Sequence, residues 1–326
     1  MSATSPSISW CDASWNPIST GETRFIEKNL ELPLHWKKRR RISVNSMSDL
    51  FHESVPDGWA MRILHVMAQT PRHTYQILTK RPDRMCSFFT RWADLTGEDY
   101  EPKLVRGPDK TRKAHPSPRG QLFAAMLEAM GEPPPGCAYP TFDWLGGMIG
   151  WPLLFHNIWP GISCENQATA DERIPWLLKT PAAVRFLFCE SLLAPIRLAR
   201  WFQRGERCRE CGSYDLGVPE MCPTLPPVCR RCGGFTVSPI SWVICGGESG
   251  AAARPCDVAW LSSVVRQCQT AGVACFVKQL GSKPYEVSEF DRATPLRLRD
   301  TNGADPVEWP ENLRVRQFPP LQETRE

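Results

Sequence analysis

The sequence predicts an α/β fold, a partial (βα)6 TIM-like barrel with a zinc ribbon inserted before its last strands. Three observations lead there. Short apolar runs rich in β-branched residues recur along the chain, each ending abruptly in charged or amide groups. Helical stretches fit between most of these runs, an order that gives parallel strands joined by right-handed crossovers. Finally, Cys208 and Cys211 form one C-x2-C pair and Cys229 and Cys232 a second, with residues 212–228 between them.

Composition narrows the classes. The 326 residues are 42% hydrophobic and 23% charged, which is ordinary for a globular protein. A net charge of +4 is too small to diagnose a nucleic-acid binder. No apolar run reaches the ~18 residues of a membrane span, and Met1 to Ser9 is polar, without the core of a signal peptide. The expectation is therefore a cytoplasmic protein without a membrane partner, its 14 cysteines serving as reduced thiols or metal ligands. The 31 prolines fall mainly between the apolar runs, as β-α connections require.

Taken in order, Ser7 to Pro17 opens with a short apolar alternation and ends in Asn-Pro, a turn signal. Trp36 then precedes five cations, Lys37 to Arg41. Such a run either grips phosphate or forms a solvated lead-in to a strand. Arg41 to Val44 reads as that strand and leaves Ser46, Ser48, Asp49 and His52 just past its end. Asp57 is expected to cap a helix with Trp59, Ile63, Leu64 and Met67 on one face. His73 to Leu78 is the next strand, closed by Thr79-Lys80-Arg81-Pro82, and a helix follows through Met85, Phe88, Phe89 and Trp92.

Gly97 to Gly120 is rich in charge, Pro and Gly and reads as a mobile insertion. A short helix is expected at Leu122, Phe123, Met126, Leu127 and Met130, broken at Pro133 to Pro135. Asn157 to Ser163 is a strand ending in Cys164-Glu165-Asn166. Glu172 to Lys179 is a helix, with Pro175 placing its start in that first turn. Val184 to Phe188 is a strand ending in Cys189-Glu190-Ser191.

Ile240 to Cys245 is a buried strand that stops at Gly246-Gly247-Glu248. Asp257 then caps an amphipathic helix bearing Val258, Leu261, Val264, Val265 and Cys268, which Gly272 closes. Val273 to Val277 is the last strand, ending in Lys278-Gln279. The tail from Asp291 to Glu326 is polar and Pro-rich, with no clear period. The resulting division is barrel (1–96), insertion (97–150), barrel (151–203), zinc ribbon (204–236), barrel end (237–285) and tail (286–326).

Parallel α/β sheets and barrels gather strand C-termini on one face, where ligands bind. Asp49, Lys80, Glu165, Glu190, Glu248 and Lys278 are therefore the candidate catalytic or ligand-holding groups, with Gly246, Gly247 and Glu248 as a cofactor-binding turn. In the ribbon, four thiolates at this spacing close a tetrahedron around zinc and leave no open position. Cys208, Cys211, Cys229 and Cys232 thus predict a structural metal. Arg204, Arg207, Arg209, Arg230 and Arg231 make the ribbon basic, which suits contact with phosphate, with protein or with solvent.

Several motifs together carry a resemblance. They are Ile8-Ser-Trp-Cys-Asp-Ala-Ser-Trp-Asn-Pro17, Val44-Asn-Ser-Met-Ser-Asp-Leu-Phe-His52, Leu78-Thr-Lys-Arg-Pro82 and Ser163-Cys-Glu-Asn-Gln167. Glu190-Ser-Leu-Leu193, Gly246-Gly-Glu-Ser-Gly250, Lys278-Gln-Leu-Gly281 and Glu308-Trp-Pro-Glu-Asn-Leu-Arg-Val-Arg316 complete the set. The chain resembles the phage and bacterial three-Cys-motif proteins of unknown function, over nearly its whole length outside residues 97–150. That resemblance implies a radical S-adenosylmethionine (radical-SAM) type barrel. Its three cysteines would hold a 4Fe-4S cluster whose open iron binds S-adenosylmethionine.

The sequence departs from this pattern at the cluster loop. Trp15-Asn-Pro-Ile-Ser-Thr-Gly21 runs straight into Glu22-Thr-Arg-Phe25, and no cysteines outside the ribbon supply a C-x3-C-x2-C spacing. Glu190-Ser191 also stands where the family has Glu-Pro. The function expected is that of a phage-type relative of a radical-SAM enzyme, acting on nucleic acid in the enzyme reading and degenerate because the cluster loop is absent. The alternatives are a non-catalytic barrel that binds a ligand or partner protein, and a zinc-ribbon protein that binds nucleic acid.

Overall fold

The computed structural model of the chain describes residues 8–10, 23, 25–44, 48–93, 103–106, 112–115, 157–180, 182, 184–202, 207–208, 216–217, 228–229, 236–237, 240–288, 290 and 292–319. The Trp15 to Gly21 turn, Ser46, the expected helix at Leu122 to Met130, Cys211 and Cys232 lie outside these residues. The described residues fall into two compact units. One is drawn from 1–77, 84–158 and 180–183, and the other from 78–83, 159–179 and 184–326.

In the first unit, β1 (Ile8–Trp10), β2 (Arg41–Val44) and β3 (Thr74–Thr79) pair in parallel, with Ile8 opposite Ile42 and Ser43 opposite Gln76. The last two residues of β3 belong to the second unit. Two short helices, α1 (Glu27–Leu30) and α2 (Leu32–His35), precede β2. Between β2 and β3 runs α3 (Asp57–Gln69), which buries Met61, Ile63, Leu64, Val66 and Met67.

Asp57 is the first residue of α3 rather than its cap. Pro56 holds the cap position in extended backbone, and the Asp57 carboxylate accepts a 3.1 Å hydrogen bond from Arg84. Arg84 begins the helical run of α4 (Pro82–Ala93) within this unit, and Phe88 and Phe89 of α4 meet Phe51 with ring centroids 5.6 and 6.0 Å apart. Inside the expected insertion, β4 (Lys103–Arg106) and β5 (Arg112–His115) form an antiparallel ladder.

In the second unit, β6 (Ile158–Ser163) and β7 (Phe186–Cys189) pair in parallel, Ser163 opposite Phe188. Between them lies α5 (Gln167–Lys179), which begins five residues earlier than Glu172 and carries Pro175 inside it. The early start has a local cause. Asn166 accepts the Thr169 N–H at 3.0 Å, and the Thr169 hydroxyl accepts the N–H groups of Glu165 and Asn166 at 3.1 and 3.2 Å. Those bonds satisfy donors that a helix start leaves open. Burial of Ala170, Ile174 and Leu177 offsets the ~3 kcal/mol that an interior proline costs.

The ribbon segment contributes four two-residue strands, β8 (Arg207–Cys208), β9 (Leu216–Gly217), β10 (Val228–Cys229) and β11 (Thr236–Val237). They form two antiparallel ladders, β8 with β11 and β9 with β10. β12 (Trp242–Gly246) then pairs in parallel with β7 on one side and with β14 (Ala274–Gln279) on the other. β13 (Cys256–Asp257) leads into α6 (Val258–Ala271). Asp257 accepts the Ala259 N–H at 2.8 Å, and Gly272 ends the helix at φ 70°, so both predicted caps are present.

Strand alternation sorts the core into two faces. Phe186, Trp242 and Ile244 pack with Trp159 and with Phe188 and Phe276 on one face. Leu187, Cys189, Val243, Cys245, Cys275 and Val277, of opposite parity, are fully buried on the other, and α6 packs on β12 and β14. Coverage of both faces explains why these strands read as continuous apolar runs.

The described part of the tail, residues 290 and 292–319, carries regular structure, contrary to its featureless sequence. β15 (Pro284–Val287) and β16 (Ala293–Pro295) pair antiparallel. Further on, the chain runs along β14: the Val277 N–H donates to Val315 O, and the Gln317 N–H to Cys275 O, both at 2.8 Å. The architecture is thus mixed α/β with parallel strands, compatible with a partial barrel. Among the described residues no helix is long and apolar enough to cross a membrane.

Candidate functional site

Five of the six candidate residues lie in the second unit, four of them one or two positions past a strand end and Lys278 inside β14, next to its last residue. Asp49 belongs to the first unit, where its carboxylate accepts the Phe51 N–H at 2.9 Å in a local turn. In the second unit the pairings run from strand to strand. Lys80 follows β3 and reaches Glu165, which follows β6, at 3.1 Å. Arg173 of α5 holds the other Glu165 oxygen at 3.2 Å. Next along the sheet, Glu190 follows β7, and one of its oxygens accepts from Lys278 and from Gln279 of β14, both at 3.0 Å. Its second oxygen lies 2.9 Å from the same ammonium, without hydrogen-bond geometry.

In both pairs the acid is sheltered and the ammonium is open. The side chains of Glu165 and Glu190 are 15% and 11% exposed, against 62% for Lys80 and 49% for Lys278. The two glutamates nevertheless differ in protonation. Burial works to raise the Glu165 pKa, but the Lys80 hydrogen bond, a backbone N–H and the Arg173 charge outweigh it and hold the group below the usual value. For Glu190 burial wins over the attraction of Lys278, and the pKa is raised.

The Gly-Gly-Glu turn is tied into the same region by its main chain. Gly246 O accepts from the Leu192 N–H at 3.0 Å, and Glu165 O accepts from the Leu193 N–H at 2.9 Å. Gly247 donates to Gln279 O at 3.1 Å, and its carbonyl accepts from the Gln279 side chain at 3.1 Å. Glu248 O accepts from the Ser282 N–H at 2.8 Å. Gly246 and Gly247 thus spend their described polar groups on the fold.

The Glu248 carboxylate is the adaptable part of the turn. It accepts from the Arg254 guanidinium at 2.7 and 3.2 Å and from the Arg254 N–H at 3.0 Å, which lowers its pKa. Arg254 also feels the charge of Glu165. Arg173, Arg254 and Gln279 are therefore partners that strand-end reasoning missed. Gln279 and Arg254 were within reach, one in the Lys278-Gln-Leu-Gly281 motif and the other six residues after Glu248. Arg173 gave no signal of its own.

The cysteines divide sharply. Cys86, Cys164, Cys189, Cys245, Cys256, Cys268 and Cys275 are all buried and unbridged. Burial pushes the Cys164 and Cys256 thiols up to about 12. Among the described residues no group of three or more His, Cys, Asp or Glu is placed to hold a metal ion. In the ribbon, β8 and β10, which end in Cys208 and Cys229, approach within 8 Å of each other, while Cys211 and Cys232 lie outside the described residues.

Fold and site define a parallel α/β protein whose strand ends gather paired charges. Over residues 18–305 the chain matches the family described as Protein of unknown function (DUF5131), and it belongs to that family. No curated protein and no solved structure matches it.

Proposed function

We propose that the strand ends of the second unit bind a small ligand with an amino-acid end, S-adenosylmethionine being the candidate that the resemblance names. One observation carries this reading. Three acids, Glu165, Glu190 and Glu248, follow the neighbouring strands β6, β7 and β12, and Lys80 and Lys278 flank them, with the carboxylates of Glu165 and Glu190 sheltered and the ammoniums of Lys80 and Lys278 facing solvent. A zwitterionic ligand end finds partners of both signs in such a row. The Glu248 carboxylate, 30% exposed, would exchange Arg254 for the ligand's ammonium. Gly246 and Gly247 act by shaping the turn.

The residues present do not fit a four-iron cluster. The thiols of Cys164, Cys189, Cys245, Cys256 and Cys268 are held above the usual range, and the chain lacks the C-x3-C-x2-C spacing. The protein is thus a degenerate member of radical S-adenosylmethionine descent that binds without iron–sulfur chemistry of its own. The ribbon sequence fits zinc: two C-x2-C pairs would supply four thiolates to a closed structural site, and the short strands that end in Cys208 and Cys229 adjoin.

Titration calorimetry with S-adenosylmethionine tests the site. Binding is expected for the wild-type chain and is expected to vanish in Glu248→Ala, with the unfolding midpoint unchanged because the Glu248 pair is exposed. No binding heat with wild-type protein, or unaltered binding by the variant, would overturn the proposal.

A further inference from the structure

The five-cation run before β2 has no role in the strand-end site, and its geometry singles out part of it. Arg72, past α3, donates to the carbonyls of Pro33, Leu34 and Trp36 at 3.0, 2.9 and 2.9 Å, and His73 bonds Pro33 O at 3.1 Å. These bonds clamp the end of α2 and fix Trp36. The Arg40 guanidinium lies over the Trp36 ring at 4.7 Å, and its buried Nε has no hydrogen-bond partner among the described residues. Arg40 O accepts the Thr74 N–H at 2.9 Å, anchoring the other end of the run. Arg41 is half-buried in β2, and burial lowers its pKa.

Between these anchors Lys37, Lys38 and Arg39 are exposed and have no carboxylate partner among the described residues. The nearest acid before them in the chain is Glu31, and the nearest after them is Asp49. A solvated lead-in to a strand needs neither clamp nor stack. Here a segment anchored at both ends, with a bend at Lys38, presents three adjacent cations beside an Arg–Trp layer.

We propose that Trp36 to Arg41 is a nucleic-acid contact, in which Lys37, Lys38 and Arg39 neutralise phosphates of a single strand beside the Arg40–Trp36 stack. The stacked Arg40–Trp36 pair fixes the start of the track. The contact is electrostatic and sequence-independent, since it reads the phosphodiester backbone and not base edges.

The experiment is fluorescence polarisation with a labelled single-stranded 20-mer over a series of salt concentrations, using the full chain. Wild type is expected to bind with a steep salt dependence. The triple variant Lys37→Ala, Lys38→Ala, Arg39→Ala should bind at least ~10-fold more weakly, with a log–log salt slope reduced by about 2, or ~0.7 for each lost phosphate contact. A control variant, Arg292→Ala, Arg297→Ala, Arg299→Ala, removes the same charge elsewhere and should leave affinity and slope unchanged. The result that overturns the assignment is no wild-type binding, or equal losses in the two triple variants. Equal competition by polyglutamate would also overturn it, by showing a response to any acidic polymer.

Discussion

Gly247 meets Leu280 so closely that a Cβ on the glycine would lie 2.1 Å from the Leu280 carbonyl oxygen. The contact joins the turn after β12 to the turn after β14, two of the strand ends that form the candidate site. Gly281, at φ 89°, presses against Gly247 and Glu248 from the same side. Backbone thus packs on backbone where sequence reasoning expected backbone to pack on a ligand, and the Gly-Gly pair is needed for the fold whether or not anything binds.

Gly247→Ala forces two main chains apart and should destabilise the protein by more than about 3 kcal/mol, in the range of severe core overpacking. Urea unfolding followed by tryptophan fluorescence would measure it. A loss below ~1 kcal/mol would mean that the turns separate easily.

Glu165 and Glu190 should respond to pH with opposite sign. The folded-state pKa of Glu190 is raised, so its contribution to stability is complete below the ordinary carboxylate value of 4.5 and is lost as pH rises through the folded value. Glu190→Gln should therefore gain on wild type at neutral pH, with the gain fading toward acid. The folded-state pKa of Glu165 is lowered, so its contribution is present above 4.5 and is lost as pH falls through the folded value. Glu165→Gln should lose stability at neutral pH, and the loss should fade in acid. Unfolding midpoints of both variants between pH 4 and 8 decide the matter. A shared sign would show that one of the two assignments is wrong.

Parallel strands, their charged ends and the caps of α6 were legible because each rests on local chemistry: β-branched runs, abrupt charge, Asp257 and Gly272. The partners of the charges were not. Arg173 reaches Glu165 only because α5 starts at Gln167, and that start depends on the Asn166–Thr169 bonds and not on the position of Pro175. The tail misled for a different reason. Its apolar anchors, Trp309 and Leu313, are too few to show a period, yet both are fully buried. Edge pairing uses main-chain groups, which every residue but proline carries in full, so sequence records it faintly.

The ribbon cysteines predict a metal content. Protein purified without oxygen should carry about one zinc per chain and no iron, the stoichiometry of one closed four-thiolate site. Cys208→Ser and Cys229→Ser should each lose it. Iron with sulfide and a broad visible absorption band would instead mean that other cysteines hold a cluster, and would reverse the assignment of the chain as a non-redox binder.

The tail should be as necessary as any core element. Trp309 is 1% exposed, and its indole N–H donates to Gly303 O at 2.9 Å. Gly303 in turn accepts the Leu280 N–H at 2.8 Å, so the tail holds the turn against which Gly247 packs. Arg316 stacks over Trp309 and Phe276, at 5.3 and 5.5 Å, and so ties the tail to β14. Trp309→Ala should cost about 3–5 kcal/mol, as truncation of a buried tryptophan does. Arg316→Ala loses stacking worth only ~0.5–1 kcal/mol per ring and should be milder. Deletion after Asp305 goes further, because it strips Val315 and Gln317 from β14 and bares an edge of unpaired N–H and C=O groups. That variant should aggregate, as light scattering would show, while Trp309→Ala remains dispersed. A monomeric deletion variant with wild-type stability would mean that the β14 edge is closed by something other than the tail.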